Sequence, residues 1–225
     1  MAMVVTDRAI LSVRYSFTAQ YLTSSAIFAK RSAQIEQANP QVADDATQTE
    51  HRGLVAAAIM QCVAAVEAES AELTMYGPGH HLGSNGTDAN ARDFLEPLAT
   101  FIDDQSALDR YDVILRLLRK QPLVRGQQPW QDMEVLVRLR NELIHYKSKW
   151  DKDMDQQKLF ATLKQLKLAK PSFVAANATF FPHQLLGASC AAWSVRTAVA
   201  FLNRFYDQIA IRSPLDAYMR QFDGL

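Results

Sequence analysis

Between Gly187 and Ser213 the side chains of Val195, Val199, Leu202, Tyr206 and Ile209 form one helical stripe, with Ala198, Phe201 and Phe205 beside it. An apolar face this broad is satisfied only when a helix is packed on two sides, so the rest of the chain must cover it with further elements. Helical spacing is what the rest of the chain offers. Phe17, Tyr21, Ser24, Phe28 and Ile35 predict an amphipathic helix over about residues 10 to 37, ended by Asn39-Pro40. After the polar stretch QVADDATQTEH, expected as a loop, an alanine-rich helix is predicted over about residues 50 to 75 and stops at Gly77-Pro78. Thr87 or Asp88 can cap a short helix that runs through Phe94 and Phe101, and Ser106 can start another through Tyr111, Ile114, Leu115 and Leu118. QPLVRGQQPW reads as a loop that delivers Trp130 to a helix ending near Tyr146, and KLFATLKQLKLAK reads as basic and amphipathic.

Composition supports the same class. Gly and Pro number eight each in 225 residues, well below ordinary use, and no stretch alternates apolar and polar residues as a strand would. With 48% hydrophobic residues the chain can bury a core without disulfide staples. The expected fold is all-α: a single helical bundle over residues 46–225 with an N-terminal helical extension over residues 1–45.

The start, MAMVVTDRAILSVR, carries Asp7 and Arg8 where a secretory signal needs an unbroken apolar core. The apolar run from Leu54 to Val66 is read as too short for a bilayer, so the expectation is a cytoplasmic chain with no membrane partner. Cys62 and Cys190 fall within helical apolar patterns and are expected as buried thiols. The N-x-T sequons at Asn85 and Asn177 are read as chance in a reducing compartment.

One segment carries chemistry: VLVRLRNELIHYKSKW, residues 135–150. On a helix Glu134, Arg138, Asn141 and His145 are spaced by four, three and four and form a single polar line. Arg140 instead falls in step with Met133, Val137 and Ile144 at the edge of the apolar face, where its arm can snorkel toward the histidine or be held by a buried acid. A histidine can move the proton of a ribose 2′-hydroxyl or a leaving oxygen, and an arginine can hold charge developing on phosphate, with no metal or other cofactor required. Lys147 and Lys149 follow as candidate RNA-binding cations.

The string Arg140-Asn141-Glu142-Leu143-Ile144-His145-Tyr146 resembles the R-x4-H signature of HEPN domains in its R-N-x3-H form, near the end of a late bundle helix. The alanine-rich AAIMQCVAAVEAESAEL resembles the earlier helix that packs against it in that superfamily. The resemblance implies that Arg140 orients or stabilises the scissile phosphate, that His145 is the general acid or base, and that Asn141 supports the pair. It also implies a metal-independent endoribonuclease whose cleft lies on the two-fold axis of a homodimer, and, for toxin members, a protein antitoxin or other regulator as partner. Such toxins often carry a tyrosine two places after the histidine; here Tyr146 follows directly and Lys147 holds the second place.

Glu67 lies in step with Ala56, Met60 and Val63 on the alanine-rich helix, pointing where apolar residues point. A carboxylate there needs a partner, and Arg140 or Arg138 is the natural one, so Glu67 is expected to position an arginine rather than to transfer protons. His80 and His81, in the loop GPGHHLGSNG, have no Cys or carboxylate at metal-ligand spacing and are expected to bind no metal; His183 reads as a loop residue.

The 24 acidic and 24 basic side chains cancel overall but not locally. From Glu36 to Asp109 thirteen acids face two arginines, whereas from Arg116 to Lys170 thirteen Lys and Arg face six acids. The basic block contains the R-N-x3-H helix. Two classes of function follow: a dimeric HEPN-like ribonuclease acting on RNA, or a non-catalytic helical module in which the same helix makes a dimer, nucleotide or RNA interface.

Overall fold

A computed structural model describes residues 16–79, 93, 95–146 and 158–225, and among them the regular structure is helix alone. The long elements are α1 (Phe17–Ala38), α2 (Asp45–Tyr76), α3 (Ala99–Asp103), α4 (Ala107–Leu117), α5 (Trp130–Ile144), α6 (Lys158–Gln165) and α7 (Ala188–Ile209). Short 3-10 turns at Glu96–Leu98 and Asp216–Phe222 and a π-type turn at Phe180–Gln184 complete the chain.

The broad stripe of α7 is buried as its pattern requires, with Val195, Ala198, Phe201, Leu202 and Phe205 fully enclosed. It packs against α1, α2, α4 and α5. The alanine-rich α2 is equally central, touching α1, α3, α4, α5 and α7. Asp44 caps it by accepting the Thr47 N–H at 2.7 Å, so the helix starts at Asp45 rather than near residue 50. Its first turns carry polar residues that face solvent, which removes the apolar periodicity that would announce them. The other end stops at Gly77, where φ is +80° and a side chain would be strained.

α1 packs into the same core as the helices that follow residue 45. Leu22, Ala26 and Ala29 are buried against α2 and α7. The buried line also runs through Ser25, Ser32 and Ile35, so of the expected Phe17-Tyr21-Ser24-Phe28-Ile35 face only Ile35 lies in the core; Phe17 is exposed, and Tyr21 and Phe28 only flank the core. Small residues win the interface because they let helix backbones approach closely. The two serines satisfy their hydroxyls locally, donating to the Leu22 and Ala29 carbonyls at 2.7 and 2.8 Å.

Aromatic rings lock the layers together. Tyr111 on α4 meets Phe201 and Phe205 edge-on at 5.0 and 4.9 Å and donates its hydroxyl to the Val66 carbonyl of α2 at 2.6 Å. Tyr206 donates to the buried Glu69 carboxylate. Burial, with Glu69 nearby, pushes both phenols far above their ordinary pKa, so both remain donors. The loop before α5 is clamped by Arg125, which bonds Asp109 at 2.6 Å and Asp112 at 3.2 Å and lies over the Trp130 ring.

By length and composition α2 is apolar enough to cross a membrane, longer than the Leu54–Val66 run suggests, and half of its most apolar window is buried inside the bundle. Cys62 and Cys190 are free and buried, as their patterns predicted. Burial pushes both thiols up to about 12. Neither thiol should therefore react with a disulfide reagent at pH 8 until denaturant exposes it, when both should. Phe201→Ala, which removes a ring between Tyr111 and Trp130, should cost about 3–5 kcal/mol in urea unfolding.

Candidate functional site

The motif helix is α5. Trp130, Met133, Leu136 and Leu139 are buried, which fixes the rotation of the helix and so decides where its polar residues point. Arg138, Asn141 and His145 are exposed on the outer side. Arg140 follows the buried line at i+4 from Leu136 and reaches α2, where its guanidinium bonds the Glu67 carboxylate. Of the two arginines open to Glu67 from sequence, Arg140 is the partner. Its side chain is 19% exposed and that of Glu67 39%, so the pair sits at the rim of the core rather than inside it.

Arg138 pairs instead with Glu134, one turn earlier, at 3.2 Å on the surface. His145 is the first residue past the helix, and its N–H caps the Asn141 carbonyl at 2.9 Å. Arg140 and His145 are about 140° apart around the axis, five residues at 3.6 per turn, and no hydrogen bond joins them among the described residues. The structure thus brings Asn141 and His145 to one exposed face and Arg140 to the neighbouring one. Lys147, Lys149, His80 and His81 lie outside the described residues.

Holding Arg140 does not use it up. A guanidinium has five N–H donors, and Glu67 takes only part of the fork, so the remaining donors can still meet an anion. The carboxylate does offset the charge, and a phosphate binding there gains geometry more than Coulomb energy. The same cancellation recurs across the two charge blocks: Arg125 meets Asp109 and Asp112, Arg116 meets Asp112 at 3.5 Å, and Arg140 meets Glu67. Two arginines of the motif segment, Arg125 and Arg140, are therefore spent on acids of the preceding block.

A second feature adjoins the motif and was not expected. Tyr146, half exposed, forms one side of an open groove of about 490 Å³. Gln48 of α2 and the segment from Phe173 to His183 form the rest. Tyr146 rests on Phe181, ring centroids 5.9 Å apart, and Phe181 on Phe160 of α6 at 4.9 Å. Arg52 of α2 bonds His183 Nδ1 at 3.4 Å. Two residues 131 apart meet there, which no local pattern announces.

Behind the groove is a buried polar knot. His51 Nε2 meets Glu36 Oε1 at 2.8 Å, and the same oxygen accepts the Ala188 N–H at the start of α7 at 2.7 Å. Phe173 covers the His51 ring edge-on at 5.1 Å. Gly187 is required next to this knot because a Cβ there would come within 3.0 Å of Pro171 Cδ and 3.2 Å of the Ala169 oxygen. The knot ties α1, α2 and α7 together beneath the groove wall, and the network was missed because its members are dispersed over 150 residues.

No protein-family model, curated protein or solved structure matches the chain.

The Arg140–Glu67 bond makes a direct prediction. Glu67→Gln keeps the shape but removes the charge at a partly exposed pair, so urea unfolding should show a loss of about 1–2 kcal/mol. Unchanged stability in this variant would mean that the pair contributes nothing to the fold.

Proposed function

We propose that this chain is a HEPN-like, metal-independent endoribonuclease whose cleft is completed by a second copy of itself. The observation that carries the proposal is the exposed Asn141–His145 face at the end of a helix whose rotation is fixed by burial, with Arg140 held beside it by Glu67. A ribonuclease site needs its proton-transfer group open to the substrate and rigidly based, and His145 satisfies both conditions. In the proposed reaction one histidine takes the 2′-hydroxyl proton as the 2′-oxygen attacks phosphorus. The 5′-oxygen leaves with a proton from the histidine of the other protomer, and a 2′,3′-cyclic phosphate remains. Arg140 orients the phosphate with the N–H groups that Glu67 leaves open. Exposed Ile144 and Tyr146 beside the polar face offer apolar area for the two-fold contact. The R-N-x3-H resemblance extends the proposal to a toxin or defence setting with a protein antitoxin or regulator, in the cytoplasm.

A second reading has its own observation. Because Arg140 is already engaged by a carboxylate, the helix end also suits a non-catalytic module in which the polar line bonds a partner across a dimer or RNA interface.

The two part company in a cleavage assay. Purified protein should cut single-stranded RNA in EDTA and leave cyclic phosphate ends, and His145→Ala should lower the rate by roughly 10²–10⁴-fold. A 2′-deoxy substitution at the cut site should abolish cleavage. Persistent cutting by the His145→Ala variant would sink the enzyme proposal, and the absence of any cutting, with Arg140→Ala converting dimer to monomer, would favour the module.

A further inference from the structure

From Gln156 to Tyr206 the chain carries no Asp or Glu, and the cations of that stretch begin with Lys158, Lys164, Lys167 and Lys170, on α6 and just past it. Phe160 and Leu163, 0% and 1% exposed in the core, fix the rotation of α6, so Lys158, Ala161, Lys164 and Gln165 are exposed on its outer side. Lys158 and Lys164 are about 9 Å apart along the helix axis, at 1.5 Å per residue. Lys167 follows the helix, exposed and with φ at +51°, and Lys170 is held by donating to the Val174 carbonyl. The Lys164 ammonium lies 5.1 Å from the centre of the Phe180 ring. Among the described residues no carboxylate pairs with Lys158, Lys167 or Lys170, in contrast to Arg125, Arg138 and Arg140 of the preceding segment.

Lysines without neutralising acids on one short face attract an anion, and the make-up of the face decides which kind. A lipid surface is a poor match, because an interfacial helix needs a free apolar side and that of α6 is buried in the core. Recognition of a base needs fixed donors and acceptors, whereas the outward groups here are flexible ammonium arms, an alanine and one amide. Lysine is a compact point charge on a long stem, which suits phosphates repeated along a strand better than one anion of defined shape. The face is also well placed. α6 packs on the motif helix α5, and two ring contacts, Phe160 to Phe181 at 4.9 Å and Phe181 to Tyr146 at 5.9 Å, tie it to the residue that follows His145.

We propose that the outer face of α6, from Lys158 to Lys167, is a docking track for the phosphodiester backbone of a nucleic-acid strand. It responds to charge and spacing and not to base or sugar, so a DNA strand is held as well as an RNA strand, although only RNA carries the 2′-hydroxyl that the cleavage chemistry needs. The link to His145 rests on the ribonuclease reading above; the track itself does not. Within that reading the labour is divided: α6 holds the strand by its phosphates, and the end of α5 acts on one linkage. Lys167 offers a way to separate binding from folding. Its left-handed φ is one that glycine adopts without strain, so Lys167→Gly deletes the cation while relieving the backbone.

The test follows the fluorescence anisotropy of a labelled oligothymidylate and a labelled oligouridylate of equal length across a salt series, with the full chain carrying His145→Ala so that nothing is cut. Both strands should bind with affinities within roughly twofold of each other and release as salt rises. At about 0.1 M salt, adding Lys158→Ala or Lys167→Gly should weaken both strands roughly fivefold and make the salt slope shallower by about 0.7, the share of one phosphate contact to a single strand. The melting temperature of Lys167→Gly should not fall. Binding of neither strand, binding of RNA without DNA, or affinities unchanged when Lys158→Ala and Lys167→Gly are combined overturns the proposal. Binding to phosphatidylglycerol vesicles with neither strand bound overturns it in favour of a membrane surface. Cleavage of the dinucleotide UpA, too short to span from the end of α5 to α6, keeps the two readings apart. If the chain without substitutions cuts UpA but holds neither strand, the track alone fails; if both strands bind through the lysines and neither UpA nor oligouridylate is cut, the ribonuclease reading alone fails.

Discussion

The whole arrangement depends on burying α2 against helices on several sides. A 32-residue helix covered by α1, α4, α5 and α7 carries polar groups at a cost unless they are answered, and three of its polar side chains are answered from neighbouring helices. His51 meets Glu36 of α1, Glu69 meets Tyr206 of α7, and Glu67 meets Arg140 of α5. These contacts cross between helices that hydrophobic packing alone would let slide, because apolar contact is non-directional while a carboxylate accepts only where its oxygens point. The rotation of α5, and with it the exposure of Asn141 and His145, is set by the same burial.

That dependence explains how the charge of the chain is organised. An acidic first half and a basic middle suggest a positive surface around the motif. In three dimensions Arg125 and Arg140 of the middle segment reach back to Asp109 and Glu67 of the first half, so part of the attraction that the sequence blocks advertise is consumed within the fold. Arg52 is different: it lies in the acidic block yet its bond among the described residues is to a histidine rather than to a carboxylate. Local geometry, rather than the sum over a segment, decides which cations are available to an anion.

Much of the fold was legible because helices advertise themselves by local spacing. The stripe of α7, the cap at Ser106, the stop at Gly77 and the burial of Cys62 and Cys190 all follow from residues within a few turns of one another. The errors were also local in origin. Exposed polar turns hid the start of α2, and the large aromatics of α1 outweighed the small Ala and Ser residues that in fact meet α2 and α7. Hydrophobic pattern ranks residues by transfer free energy, whereas close helix packing ranks them by size, and the two scales disagree for alanine and serine.

For the candidate site the division is sharper. The sequence by itself determined that Arg138, Asn141 and His145 share a line, that Arg140 departs from it, and that Glu67 needs a cationic partner, since each follows from helical period and the cost of an unpaired buried charge. Only the tertiary structure decided that Arg140 rather than Arg138 is that partner, that the first helix belongs to the core, and that Arg52 meets His183 at the wall of a groove beside Tyr146. Those outcomes depend on which helices lie side by side and at what rotation, and that is settled by the packing of the whole apolar surface at once, not by any segment of it.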